Sequence, residues 1–261
     1  MTTLRLLGKP FEWFPRWRDR YGDPMRLPTL NGNVFLTGKP ELIKQIFAGR
    51  PLSYGPFATE AVSGFAGSGS MLVLTGERHL AERKLLSPPF RGSQMRALGP
   101  AMADAARRRL DAAVGAGTLR MGDLARDISL EAIIRTVFGV QESERVDAFA
   151  AAVTEYLRRS NPLFFFAKAS QTPLFPPWRA YLVAFEHLDA LLQEQIERVR
   201  ADGTDGNILA SMVAAQYDDG STMDDEHIKG ELRTLLFAGH DTTAITLTWA
   251  VDHLFRDEAL L

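Results

Sequence analysis

The sequence predicts a mainly α-helical fold with a small N-terminal β-hairpin. Three observations predict it. From Gly76 onward, apolar residues recur at three- and four-residue intervals in one segment after another, the spacing of helices with one buried stripe. One early stretch carries two short extended runs, Met25–Leu30 and Val34–Thr37, around Asn31-Gly32-Asn33; Asn-Gly favours a hairpin because both residues tolerate positive φ. No internal repeat and no linker-like composition divides the chain, so residues 1–261 are expected to form a single domain.

Composition narrows the function classes. Hydrophobic residues make up 46% of the chain, enough for a buried core. The net charge of −2 gives no bulk attraction to nucleic acid or acidic lipid. There is no cysteine, which excludes disulfides, Cys-zinc sites, iron–sulfur clusters and any thiolate ligand drawn from these residues. No run approaches the ~18 apolar residues of a membrane span, and no apolar signal core opens the chain. The expectation is a soluble, cytoplasmic protein with no stable membrane anchor and no nucleic-acid partner.

Taken in order, the elements are as follows. Residues 10–21 form a helix with Pro10 in its first turn, Phe14, Trp17 and Tyr21 on one face, and Gly22 as its stop. In the hairpin, Pro28 marks an edge strand. Pro40 opens a helix with Leu42, Ile43, Ile46 and Phe47 inward, closed by Gly49. Residues 50–70 read as a loop. Its glycines lack the Gly-Lys-Ser/Thr of a phosphate cradle, so it reads as a covering segment. Gly76–Leu86 is a helix stopped by Pro88-Pro89, with His79 and Arg83 one turn apart on one face; such a pair suits an anion, or is a solvated basic face. Ser93–Val114 is helical, with a restart at Pro100, and Thr118–Met121 is a brief strand. Gly122–Phe138 places Leu124, Ile128, Ile134 and Phe138 inward, and Ser143–Arg159 is a further helix.

Residues 160–178 interleave Phe164, Phe165, Phe166, Phe175 and Trp178 with four prolines, the composition of a binding loop or of a loop packed on the core. Trp178–Arg200 is a long helix and Asn207–Tyr217 a short one. Thr222, with Asp225 three residues on, is the expected N-cap of a final helix of about 30 residues.

That final helix breaks local rules in its middle, at Ala238-Gly239-His240-Asp241-Thr242-Thr243. Gly239 costs about 1 kcal/mol against alanine in a helix, and Asp241 and the threonines are weak helix formers. Gly239, Thr242, Thr243 and Thr246 share a face by spacing. They make either a groove lined with hydroxyls or a close helix–helix contact. Other chemistries lack their residues: there is no His-Glu-x-x-His, no paired Glu-x-x-His and no Gly-x-Ser-x-Gly.

Three stretches together resemble the N-terminal portion of the cytochrome P-450 family of heme-thiolate monooxygenases. Ala238-Gly239-His240-Asp241-Thr242-Thr243 is similar to the family's oxygen-binding motif on its long central helix. Gly76-x-x-His79-x-x-x-Arg83 followed by Pro89-Phe90 is similar to its heme-flanking helix. Tyr21-Gly22-Asp23-Pro24, the hairpin and Gly38-Lys39-Pro40-Glu41 are similar to its N-terminal helix and first sheet. The stretches come in the family's order and span almost the whole chain.

The resemblance implies an incomplete cytochrome P-450 fold and a heme cofactor of b type. His79 and Arg83 would hold its propionates, with Ala238, Gly239 and Thr243 also at the cofactor. Thr242 would hydrogen-bond dioxygen and Asp241 would relay protons as the catalytic pair. It also implies a hydrophobic small-molecule substrate, O2, and a ferredoxin- or flavodoxin-type electron donor. The family's axial Cys and its later Glu-x-x-Arg have no counterpart in these residues, so the chain alone is expected to be inactive. The alternative is a non-catalytic helical remnant or interaction module that has lost the heme site.

Overall fold

The computed structural model describes residues 8–29, 32–50, 53–56, 59–67, 69–115, 117–161, 164, 170–203 and 206–257. Helix α1, Pro10–Tyr21, begins at its proline and ends where Gly22 adopts φ +82°. Trp17 is buried against Met25 and Leu27, with Trp13, Phe14 and Leu36 around them. The buried face of α1 is thus Trp13, Phe14 and Trp17. Tyr21, expected on that face, is exposed because the chain turns away at Gly22 immediately after it.

Strands β1 (Met25–Thr29) and β2 (Gly32–Leu36) pair antiparallel, from Met25 opposite Leu36 to Thr29 opposite Gly32. β1 alternates inward Met25 and Leu27 with outward Arg26 and Pro28, as a half-buried strand does. Leu30 and Asn31 of the expected turn lie outside the described residues.

Helix α2, Pro40–Phe47, forms where expected, but none of its residues is buried. Ile43, Ile46 and Phe47 are exposed, the last by 86%, since no described element covers that face. Within the expected 50–70 loop lies a helix, α3, Thr59–Ala66. It is fixed by close backbone approach: Ala66 is fully buried, and a Cβ on Gly230 would stand 2.7 Å from the Ala66 carbonyl oxygen. Ser68, in the glycine-rich run, lies outside the described residues.

Helix α4, Gly76–Leu86, is followed by a 3-10 turn at Pro88–Phe90. Helix α5, Gly92–Ala113, runs through Pro100 without a restart; a helix survives the loss of that one N–H donor when its flanking turns are packed, here by buried Leu98 and Ala105. Thr118–Met121 is not a strand. No described strand is there to pair with it, and Met121 instead opens α6, Met121–Thr136.

Helices α7 (Ser143–Arg159), α8 (Pro176–Asp202), α9 (Ile208–Ala214) and α10 (Asp225–Arg256) complete the described elements. The cap of α10 is Asp224, which accepts from the His227 amide at 2.8 Å; Thr222 is instead engaged in a β-bridge with Gln216. The core is built where α6, α7, α8 and the first half of α10 converge, around Phe138, Phe149, Tyr156, Leu188, Leu192, Ile196, Ile228, Leu232 and Leu236. Phe164, Phe175 and Trp178 pack on this core, with Trp178 stacked on Tyr181 at 5.1 Å between ring centroids. Phe165 and Phe166 lie outside the described residues. No described helix is long and apolar enough to cross a membrane.

Candidate active site

The site is decided by the change along α10. Asp224, Asp225 and Glu226 place caps and negative charge at its N-terminus, where the helix dipole favours them. Leu232, Leu236, His240 and Ala244 then descend one side at four-residue intervals, all buried against the rest of the protein. The opposite side opens after Leu236. Ala238, Thr242, Ile245, Thr246 and Trp249, at i, i+4, i+7, i+8 and i+11, form one exposed stripe.

The threonines answer the strain of β-branching and unpaired hydroxyls by bonding backward. Thr242 Oγ1 donates to the Ala238 carbonyl at 2.6 Å, Thr246 Oγ1 to the Thr242 carbonyl at 2.8 Å, and Thr248 Oγ1 to the Ala244 carbonyl at 2.8 Å. Each bond uses the hydroxyl proton and leaves oxygen lone pairs free to accept. Thr242 therefore presents an acceptor to whatever lies on the stripe, and becomes a donor there only by releasing Ala238. Thr243 is exposed beside it.

Gly239 belongs to a different surface. A Cβ there would stand 3.4 Å from Ile133 Cδ1, and the Ser129 hydroxyl reaches the Gly239 and His240 carbonyls at 3.4 and 3.1 Å. Its small size serves the approach of α6 to α10, so of the predicted face of Gly239, Thr242, Thr243 and Thr246 it is Thr242 and Thr246 that line the open stripe, together with Ala238. His240 is buried between the two helices; burial pushes its pKa down, Asp241 and Asp127 pull it up, and Arg126 opposes them. Asp241 points to solvent on the flank, its Oδ1 3.8 Å from Arg126 Nε, and Arg126 also reaches Asp123 at 3.4 Å.

On α4, His79 and Arg83 fall one turn apart, as the spacing requires. Among the described residues neither side chain makes an ion pair, whereas neighbouring Lys84 is held by Asp218 at 2.7 Å. Two basic side chains on one face, neither engaged in an ion pair among the described residues, suit a ligand bearing carboxylates. No hydrogen bond or ion pair joins them to the α10 stripe among the described residues; α4 meets α10 instead through Glu82. No group of three or more His, Asp or Glu able to hold a metal occurs among the described residues.

Arg126 and Ser129 contact this stretch of α10 although the sequence did not single them out. They occupy polar positions of an amphipathic helix, where a solvated side chain and one that meets a neighbouring helix look alike.

The family model described as Cytochrome P450 matches residues 2–260. A putative cytochrome P450 135B1 of Mycobacterium tuberculosis is 32% identical over 249 residues, covering 93% of this chain and 52% of that protein. A putative cytochrome P450 138 of Mycobacterium bovis is 31% identical over 262 residues, covering 98% of this chain and 57% of that protein. Among solved structures, retinoic acid-bound cyanobacterial CYP120A1 superposes with a TM-score of 0.83 at 17% identity, over 97% of this chain and 57% of that one. The chain thus spans about half the length of the curated relatives it matches.

Proposed function

Because the chain belongs to the cytochrome P450 family, we propose that it forms the oxygen-handling part of a heme-dependent monooxygenase acting on a hydrophobic small molecule. One observation carries the reading: Ala238 and Thr242 lie open on α10 and are joined by a hydroxyl-to-carbonyl bond, with Asp241 beside them. The residues present fit the periphery and one face of a heme. His79 and Arg83 are free to hold its propionates, and Ala238 is small enough for a flat ring to approach. Heme b, when bound, supplies the iron at which dioxygen is reduced with electrons from a ferredoxin- or flavodoxin-type donor.

The chain's own residues do the rest. Ile245 and Trp249 put exposed apolar surface on the stripe, and apolar surface of this kind selects an apolar substrate that covers it. Thr242 accepts a hydrogen bond through its free lone pairs and can hand its proton outward by releasing the Ala238 carbonyl. Asp241, in a long exposed pair with Arg126, can exchange that partner for water and carry protons from solvent to Thr242. The 261 residues contain no cysteine, so they offer no thiolate to an iron, and the chain by itself does not carry out the reaction.

Heme titration of the purified chain tests this. We expect a saturable change in heme absorbance that weakens severalfold in the His79→Ala/Arg83→Ala double variant; equal titrations would remove the two residues from the site. After reduction and addition of carbon monoxide, no thiolate-type Soret band is expected, and its appearance would overturn the claim that the chain alone is inactive.

A further inference from the structure

Away from the stripe, α4 and α10 meet through a buried group of titratable side chains that the reaction does not use. Glu82 of α4 and His227 and Glu231 of α10 are exposed by 2%, 8% and 1%. Glu82 accepts from the Tyr217 hydroxyl at 2.7 Å, and its other oxygen lies 3.5 Å from His227 Nε2. Glu231 accepts from the Met71 amide at 2.5 Å, in the turn between α3 and α4. One residue earlier in that turn, Ser70 bonds Thr234 at 2.8 Å, and a Cβ on Gly69 would meet the His227 ring at 3.0 Å. The turn is pressed on α10 at these points.

We propose that Glu82, His227 and Glu231 form a proton-operated latch, which fastens α4 and the 69–74 turn to α10 while Glu231 is protonated and loosens them once it ionises beside Glu82. The inference goes beyond the proposed monooxygenase and does not depend on it.

The charge count supports the latch. Glu82 has a donor in Tyr217 and lies 3.5 Å from the His227 ring; Glu231 has one amide. The other groups facing the trio are Arg78 of α4 and Asp224 at the cap of α10, both acting at Tyr217. The 69–74 turn contributes no ionisable side chain, and Arg233 is turned away to Asp189 of α8. Ionised Glu231 thus adds a second buried anion with no cation of its own among the described residues. Burial pushes its carboxyl up to about 7, the Glu82 charge adds to this, and the Met71 amide opposes it. In an opened turn the carboxyl returns toward 4.5, its ordinary value. The closed form therefore holds a proton that the open form releases between those values. The latch is tight at the acid end of this window and loosens as pH rises toward neutrality.

Hydrogen exchange at the Met71 amide of the intact chain tests this. After correction for intrinsic exchange, protection is expected to fall about tenfold per pH unit between about pH 5 and pH 7 and to level off above that. In Glu231→Gln, which keeps an acceptor for Met71, protection should not vary with pH. Protection that is flat in the wild-type chain, or that still falls in the variant, overturns the latch. Should the variant fail to fold, the wild-type chain decides alone through the side-chain carboxyl carbon resonance of Glu231. Titration near pH 7 together with loss of Met71 protection supports the latch, and titration near pH 4.5 overturns it.

Discussion

Thr242 Oγ1 donates to the carbonyl of Ala238 at 2.6 Å, so a hydroxyl exposed on the open stripe also bonds back to the helix one turn earlier. Thr242→Ala removes that hydroxyl while replacing a weak helix former with the strongest, a gain of about 0.5 kcal/mol. The variant should fold at least as stably as the wild type. In an enzyme of the relatives' full length carrying this segment, the ratio of product formed to O2 consumed should fall, and Thr242→Ser should restore most of it. Unchanged coupling in Thr242→Ala would remove the residue from the reaction.

Asp241 and Arg126 form an exposed pair at 3.8 Å, and pairs of this kind contribute under about 1 kcal/mol. Arg126→Ala should therefore leave the urea midpoint nearly unchanged. In the same full-length enzyme, Asp241→Asn should slow turnover by roughly a hundredfold, the scale of a lost acid–base group, with substrate affinity preserved. A loss of affinity equal to the loss of turnover would point to positioning rather than proton delivery.

Two glycines on α10 should respond in opposite directions to the same substitution. Gly230→Ala drives a Cβ to 2.7 Å from the Ala66 carbonyl oxygen, a backbone atom that cannot step aside, and should cost roughly 1–3 kcal/mol. Gly239→Ala meets only the end of Ile133 at 3.4 Å and recovers helix propensity, for a net gain of up to about 1 kcal/mol. Urea unfolding of the two variants measures both.

Glu131 is buried and bound by Arg108 at 2.8 Å, Arg109 at 2.5 Å and Arg135 at 2.8 Å. Burial pushes its carboxyl up, but the three guanidinium groups outweigh burial and hold it below the ordinary range. A carboxyl lowered in the folded state stabilises above its unfolded value and loses that contribution as pH falls through its folded one. Stability should thus decline on acidification below about pH 4.5. Glu131→Gln should shrink that decline and cost about 3 kcal/mol at neutral pH by leaving the guanidinium groups without their anion. Urea midpoints across the acid range check both statements.

Much of the fold was legible because helix boundaries are written locally. Pro10, Gly22, Pro40 and the Pro88-Pro89 pair each end or begin an element by fixing φ or removing a donor, and those limits hold in the structure. What failed depended on neighbours. The apolar face of α2 reads as inward from its pattern alone, yet no described element covers it. Helix α3 was hidden by glycines and serines, and its place is set by contact with Gly230, more than 160 positions later. In the site, spacing grouped Gly239 with Thr242 and Thr243, but periodicity cannot say which side of a helix meets a partner. The contact with Ile133 separates the packing residue from those on the open stripe.

The open stripe also carries its own reporter. Trp249 is 60% exposed on the same side as Ala238 and Thr242, while Trp17 is sealed beneath the hairpin. Its indole emission is red-shifted by water. A flat, light-absorbing ligand settling on that side of α10 quenches it by energy transfer, and an apolar colourless one shifts it to the blue. Comparison with Trp249→Phe isolates this signal, so the occupancy of α10 can be followed by fluorescence before any turnover is measured.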